Sequence, residues 1–289
     1  MIKNRLILVE GIPGSGKTTI ANKIKEYLSE KGENVVLYNE GELHPADMAW
    51  NSLLTLQEYK EVIENNKEHE EVIKNNTIFE DEYAIVAYTK LGFGPKENKM
   101  MEIFENHEVY GGRVGLNLFK KIHLKRWKKF NEDMKSHKEQ ITIFECAFLQ
   151  NHIGEILGDQ NVTDEEYIKD YFRELIETVK DLNPKLIYLN QESVEETINR
   201  VAKERVSDDK DKYPDWIDMM IDYYQNCKYG KGNNLKGYDS VITFLKKRKE
   251  LEGRIIDDLK IDKAVINNFD YNWEEVTKGV LKEIQSSLL

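Results

Sequence analysis

Apolar residues fall into two patterns along this 289-residue chain. Five short runs are continuous rather than alternating: Arg5–Val9, Val35–Tyr38, Ile141–Phe144, Lys185–Leu189 and Ala264–Ile266. Continuous runs of this length suit strands buried on both faces of a parallel sheet. Between them the apolar spacing becomes helical. Ile168, Tyr171, Phe172, Leu175, Ile176, Val179 and Leu182 form one such stripe. Thr163-Asp164-Glu165-Glu166 precedes it as a capping box, and Asn183-Pro184 ends it. Ser193–Glu196 opens a second helix, with Ile198, Val201 and Ala202 facing inward. Asn272–Glu275 opens a third, backed by Trp273, Val276, Val280, Leu281 and Ile284. Strands alternating with helices predict a doubly wound α/β sheet.

Residues 43–139 are too many for one crossover helix, so a helical insertion is expected there. Its clearest helix spans 116–137, with Phe119, Ile122, Trp127, Phe130 and Met134 inward. Ser207–Pro214 is rich in Asp and Lys, and Lys228–Gly237 is rich in Gly and Asn; both are expected to be loops. The expected organisation is one domain over 1–289, with the insertion at about 43–139 and a lid at about 200–215.

Charge narrows the classes of function. Lys and Arg number 42 against 53 Asp and Glu, a net charge of −11. Duplex binding needs a basic field, so nucleic acid is disfavoured as a partner. The two cysteines, Cys146 and Cys227, exclude a disulfide framework and a Cys-rich zinc site. No segment approaches the roughly 18 apolar residues of a membrane span. Glu10 and Gly11 interrupt the N-terminal apolar run, so no secretory signal is expected and the cytoplasm is the expected compartment.

The chemistry starts at Gly11-Ile12-Pro13-Gly14-Ser15-Gly16-Lys17-Thr18, followed by Thr19. This is the G-x-x-x-x-G-K-[ST] pattern, placed between an apolar strand and a helix carrying Ile20, Ala21, Ile24 and Leu28. Gly11, Gly14 and Gly16 let successive backbone N–H groups converge on one phosphate. The helix start adds the positive end of its dipole. Lys17 is placed to reach the β- and γ-phosphates, and the Thr18 hydroxyl to complete a Mg²⁺ shell. The chain has no Asn-Lys-x-Asp, no Asp-x-x-G and no Leu-Ser-Gly-Gly-Gln.

With these residues the chain resembles the nucleoside and nucleotide kinases of the P-loop superfamily. The matching features are Val9 to Thr19, acids after the second strand, an acid ending the third, and an Arg pair before a loop. The resemblance implies a P-loop NTPase three-layer α/β fold: a five-stranded parallel sheet flanked by helices, with a helical lid. It implies ATP and Mg²⁺ as cofactors, with phosphoryl transfer to a small hydroxyl- or phosphate-bearing acceptor, such as a nucleoside or nucleotide. Glu145 would sit beside the phosphate loop as a magnesium organiser together with Thr18. Glu40-Gly41-Glu42 would supply the base, with Glu42 ahead of Glu40. Arg200 and Arg205 would close over the triphosphate. Asn267, in the loop Asn267-Asn268-Phe269, would approach adenine.

Some readings stay open at this stage. Cys146 and Ala147 stand where deoxynucleoside kinases carry Arg and Ser, which leaves the acceptor undetermined. A nucleotide switch working through the insertion, or a polynucleotide 5′-hydroxyl kinase, are the alternatives. His44 and Asp47 are weaker catalytic candidates, and His123 falls on an apolar stripe that suits the core. Tyr110-Gly111-Gly112-Arg113 suits either a ligand approach or a turn between helices. The run Lys120, Lys121, Lys125, Arg126, Lys128 and Lys129 reads as a solvated helix face.

Overall fold

The computed structural model describes residues 4–93, 98–210 and 213–286. All five expected strands form, and they pair in one parallel sheet. They are β1 (Leu6–Gly11), β2 (Asn34–Tyr38), β6 (Gln140–Glu145), β7 (Lys185–Asn190) and β8 (Asp262–Asn267), in the order β2-β6-β1-β7-β8. The register sets Val9 beside Glu145 and Gly11 beside Leu189. The carboxyl ends of β1 and β6 therefore lie side by side. β1 is buried throughout, because helices cover both faces of the sheet.

Strand side chains alternate between those faces. Ile7 and Val9 of β1, with Ile141, Ile143, Ile187 and Leu189, pack against α1 (Lys17–Glu30) and α12 (Trp273–Gln285). Leu6 and Leu8, with Phe144, Leu186 and Tyr188, face the other layer. That layer holds α5 (Leu116–Asp133), α7 (Glu165–Thr178), α8 (Val194–Glu204) and α11 (Gly237–Asp258). The result is the three-layer α/β fold of P-loop NTPases, with the glycine loop at the carboxyl end of the central strand.

The insertion is helical only in part, which corrects the expectation for 43–139. It contains β3 (Ser52–Thr55), β4 (Thr77–Glu80) and β5 (Tyr83–Val86), paired as an antiparallel sheet in the order β3-β5-β4. Between and after these strands lie α2 (Leu56–Asn65), α3 (Glu70–Asn75) and α4 (Asn98–Asn106). Leu54, Val62, Ile73, Val86, Tyr88 and Phe104 give this part a core of its own. Strands of four residues carry too little periodicity to register in the sequence.

Two further details differ from expectation. The cap of α7 is Asp164 rather than Thr163; the Asp164 carboxylate accepts from the N–H groups of Glu166 and Tyr167. The stretch 228–237, expected to be a loop, contains α10 (Lys228–Gly232) and the first residue of α11. The caps at Ser193 and Asn272 form, each accepting the N–H three residues on. The remaining helices are α6 (Gln150–Ile153), which continues as a π-helical turn over Gly154–Asp159, and α9 (Trp216–Asn226). No helix among the described residues is long and apolar enough to cross a membrane.

Trp127 on α5 is fully buried against Phe144 and Phe148. Trp127→Ala leaves a large cavity between helix and sheet and should cost about 3–5 kcal/mol. Urea unfolding followed by circular dichroism should show a lower midpoint at unchanged slope.

Candidate functional site

The glycine loop is shaped by its own backbone and by the helices packed over it. Gly14 and Gly16 have φ of 81° and 93°, the left-handed region that favours glycine. A Cβ on Gly14 would come within 2.1 Å of Val201 Cγ2, and one on Gly16 within 2.2 Å of Trp273 Cη2. α8 and α12 thus approach the loop as closely as its missing side chains permit. Lys17 Nζ donates to the Ile12 carbonyl at 3.1 Å, arching the side chain over the loop.

Glu145 ends β6 beside this loop, and its carboxylate gathers three donors. Thr18 Oγ1 donates to Oε1 at 3.1 Å, and the Glu40 backbone N–H to Oε2 at 3.3 Å. The Cys146 thiol also donates to Oε1, at 3.1 Å. Cys146 has φ of 66°, a costly conformation for a residue with a side chain, held at the sheet's carboxyl edge. Burial pushes its thiol well above the ordinary cysteine range. Glu145 and Thr18, predicted from distant parts of the sequence, are therefore in direct contact.

The acids after β2 divide in a way that reverses the expected order. Glu42 turns back and accepts from the Asn39 N–H and side-chain amide, at 3.0 and 3.3 Å, away from the cleft. Glu40 lines the cleft and accepts from the Trp50 indole at 3.2 Å. Burial raises the Glu40 carboxyl above its ordinary range, and the Glu145 charge raises it further, against the pull of Lys17. The sequence could not rank the two, because only the turn around Gly41 decides which acid faces inward.

Arg200 and Arg205 both line the cleft. Five helical residues would point them apart, but α8 ends at Glu204, between them. Arg200 donates to the Gly14 carbonyl at 2.9 Å, and its guanidinium lies over the Tyr271 ring. Arg205 lies over Trp216. Beyond them, Asp215 accepts from Ser207 N–H and Lys210, at 2.9 and 2.7 Å, drawing this segment into a loop. Asp211 and Lys212 of the expected lid lie outside the described residues.

Asn267, expected to approach adenine, turns outward at the end of β8. Its side chain is exposed and accepts from Asn190 at 3.0 Å. The neighbouring Asn268, fully buried, instead donates to the Ser15 carbonyl at 2.9 Å and ties the loop after β8 to the glycine loop. The chain leaves β8 at Asn267, and the Asn268 N–H donates to the Asn190 carbonyl at 2.9 Å, which holds the next side chain over the glycine loop.

Other residues around the cleft carried little sequence signal. Glu10, fully buried, accepts from the N–H groups of Phe148 and Gln150 at 2.7 and 3.1 Å and anchors the start of α6. Burial pushes its carboxyl up to about 8, with those N–H groups and Lys17 opposing. Its place between Val9 and Gly11 was the only available clue. Further along, Tyr223 donates to Asp159 at 2.6 Å, and Arg113 pairs with Glu108 at 2.9 Å. The Gly112 N–H donates to both oxygens of Glu155, at 3.2 and 3.0 Å. The glycine pair at 111–112 therefore wraps an internal carboxylate. His44, another weak candidate, is buried against Phe144 and accepts two backbone N–H groups at Nδ1, and burial pushes its pKa down to about 3. On α5, Arg126 pairs with Glu80 at 2.6 Å, Lys129 with Glu80 at 3.4 Å and Lys120 with Glu174 at 3.5 Å.

Comparison with known proteins adds to this geometry. Residues 5–80 match the family described as chromatin associated protein KTI12. A thymidylate kinase of Buchnera aphidicola subsp. Baizongia pistaciae (strain Bp) is 38% identical over 69 residues. That match takes in 24% of this chain and 32% of the kinase. The chain thus spans about a third of that relative's length. These two partial matches, with the glycine loop and the parallel sheet order, support a P-loop nucleotide kinase-like superfamily. The family match takes in the first two strands and the glycine loop between them. A solved protein described as the crystal structure of APE1195 aligns over 100% of this chain and 99% of its own, with 13% identity and a TM-score of 0.37.

As in other P-loop kinase-like folds, the site opens from the carboxyl ends of the strands. The cleft measures about 1370 Å³ and runs from the glycine loop to Glu155 and Asp159. Burial raises the Glu155 carboxyl to about 6, against the hydrogen bonds from Gln160 and Gly112. The folded protein therefore holds this proton more tightly than the unfolded chain does. The resulting stability is complete below the ordinary glutamate pKa and is lost as pH rises through about 6. Chemical denaturation at several pH values should show Glu155→Gln lacking a fall of about 2 kcal/mol that the parent protein undergoes from well below the ordinary glutamate pKa to well above this raised one.

Proposed function

We propose that this protein is an ATP- and Mg²⁺-dependent phosphotransferase that phosphorylates a small hydroxyl- or phosphate-bearing acceptor. The observation that carries the reading is the contact of Thr18 with Glu145 at 3.1 Å, beside Lys17 and Glu40 at the head of one cleft. A hydroxyl and a carboxylate are hard oxygen donors, the kind magnesium takes together with water and phosphate oxygens. The ion, when bound, would neutralise charge on the transferring phosphoryl group. The cleft volume of about 1370 Å³ exceeds the roughly 300–1,000 Å³ of a single-ligand pocket, which leaves room for a nucleotide and an acceptor together.

Each side chain then has a role. Backbone N–H groups of 14–18 and the dipole of α1 hold the β-phosphate. Lys17 swings from the Ile12 carbonyl to the phosphate oxygens. Arg200 and Arg205 stabilise charge developing in transfer, and the segment that follows them closes as a lid. Glu40 takes the acceptor proton; its raised carboxyl pKa brings it closer to the working range of a general base. The far end of the cleft carries Glu108, Glu155 and Asp159 against Arg113. That balance favours an acceptor rich in hydroxyl or amino donors.

An acceptor screen with labelled ATP tests the reading directly. Acceptor-stimulated turnover is expected, and ATP hydrolysis indifferent to every acceptor would overturn it. Lys17→Ala should lower turnover by at least about a hundredfold with the fold retained, as judged by circular dichroism. Glu40→Gln should lower kcat by about 10²–10⁴ at little change in the KM for ATP, while Glu42→Gln keeps most of it. Full kcat in Glu40→Gln would remove the base from this turn.

A further inference from the structure

Asp47, His123 and His152 meet behind the cleft, on three separate elements: the segment after β2, the middle of α5, and α6. They are 3%, 0% and 0% exposed. One ligand-capable atom from each lies within 4.8 Å of the other two. His123 Nε2 stands 3.5 Å from Asp47 Oδ1, and His152 Nε2 stands 3.7 Å from the same oxygen.

Hydrogen bonding leaves both imidazoles with an unmet need at this point. His123 Nδ1 lies 3.0 Å from the Phe119 carbonyl, an acceptor only, so Nδ1 carries the proton and Nε2 presents a lone pair. His152 Nδ1 is held by the Tyr171 hydroxyl at 2.7 Å. Neither Nε2 has a hydrogen-bond partner. The carboxylate they face is already supplied, by Tyr110 at 2.5 Å on Oδ1 and by Asn151 at 2.9 Å on Oδ2. The lone pair of His123 Nε2 faces the carboxylate across 3.5 Å, an arrangement that a cation among the three groups would satisfy. A single proton can join only one nitrogen to the carboxylate; a divalent metal ion serves all three atoms.

We propose that Asp47, His123 and His152 form a buried structural site for zinc or a similar divalent first-row metal. The separations fit: zinc bonds of about 2.0–2.1 Å in tetrahedral geometry place neighbouring ligand atoms about 3.3–3.4 Å apart. The observed 3.5 and 3.7 Å to Asp47 lie close to this, and with all three atoms within 4.8 Å of one another the imidazoles would draw together on binding. Two imidazoles and a carboxylate are a donor set that suits zinc rather than magnesium or calcium. The outer partners are those a metal centre uses to fix ligand orientation: a carbonyl on one His, a hydroxyl on the other, a hydroxyl and an amide on the carboxylate. The rings of Tyr110, Phe119, Trp127 and Tyr171 seal the site.

The three ligands are absent from the cleft wall, so the metal does not meet the acceptor. Tyr110 and Asn151 do line the cleft, and both hold Asp47. The ion would therefore clamp the segment after β2, α5 and α6 together and fix the wall that faces the acceptor. This site is independent of the Thr18–Glu145 pair and of the proposed phosphotransfer.

Metal analysis of the full chain, purified without chelator and dialysed, should find about one equivalent of zinc. After stripping, titration with Co²⁺ should restore one equivalent with the visible absorption of protein-bound cobalt, and adding zinc should raise the melting temperature. His123→Asn, His152→Asn and Asp47→Asn should each retain under about a tenth of the metal, while the surface change His137→Ala keeps it all. If a variant fails to fold, the cobalt spectrum and the zinc-dependent melting shift of the unmodified protein decide. No stoichiometric uptake of zinc or cobalt by the unmodified protein would overturn the proposal. So would undiminished uptake by a folded His123→Asn/His152→Asn variant; either result makes the cluster a plain hydrogen-bonded core.

Discussion

The glycine loop has to keep its N–H groups free for a ligand, yet it sits under two helices at the centre of the sheet. Removing side chains at Gly14 and Gly16 meets both demands at once. It lets the backbone take left-handed conformations, and it lets Val201 and Trp273 press onto the loop where a Cβ would collide. α8 and α12, from the distant end of the chain, are thereby positioned against residues 14–16. Arg200, one residue before Val201, reaches the Gly14 carbonyl because of that contact. A larger residue at either position would damage more than phosphate binding: it would push away the helices that carry the arginine and the Asn268 tether.

Around this loop, charge is organised by burial. Glu10, Glu40 and Glu145 crowd the ends of β1, β2 and β6 beside a single lysine. Burial raises the Glu10 carboxyl, and burial with the neighbouring Glu145 charge raises that of Glu40. Glu10 offsets part of that effect by capping α6. A site in this condition suits ligands that bring positive charge, which a nucleotide's metal ion would do. The chain as a whole is acidic, and Lys120, Arg126 and Lys129 of α5 are paired with Glu174 and Glu80.

The insertion completes the cleft from the opposite side. Tyr110 and Arg113 reach the wall from the segment after α4, and Tyr223 and Trp216 reach it from α9. The three-stranded sheet has a core of its own, so the insertion that lines the cleft is braced rather than loose. Asp47 links the two parts through Tyr110 and Asn151.

The five parallel strands, the phosphate loop and the Ser193 and Asn272 caps were legible in the sequence because each is local. A continuous apolar run, a glycine spacing and a cap are all decided within about ten residues of chain. The pairing of Thr18 with Glu145 was also within reach, since strand order puts both at one sheet edge. What tertiary structure alone decided was the direction of individual side chains. Glu40 rather than Glu42 faces the cleft because the Gly41 turn folds Glu42 onto Asn39, and Asn268 rather than Asn267 meets the loop because its backbone is held to Asn190 just past the strand end. The short strands β3, β4 and β5 escaped notice because four residues hold too little pattern. The convergence of Asp47, His123 and His152 depends on three elements separated by up to 105 residues, and no spacing in the sequence encodes it.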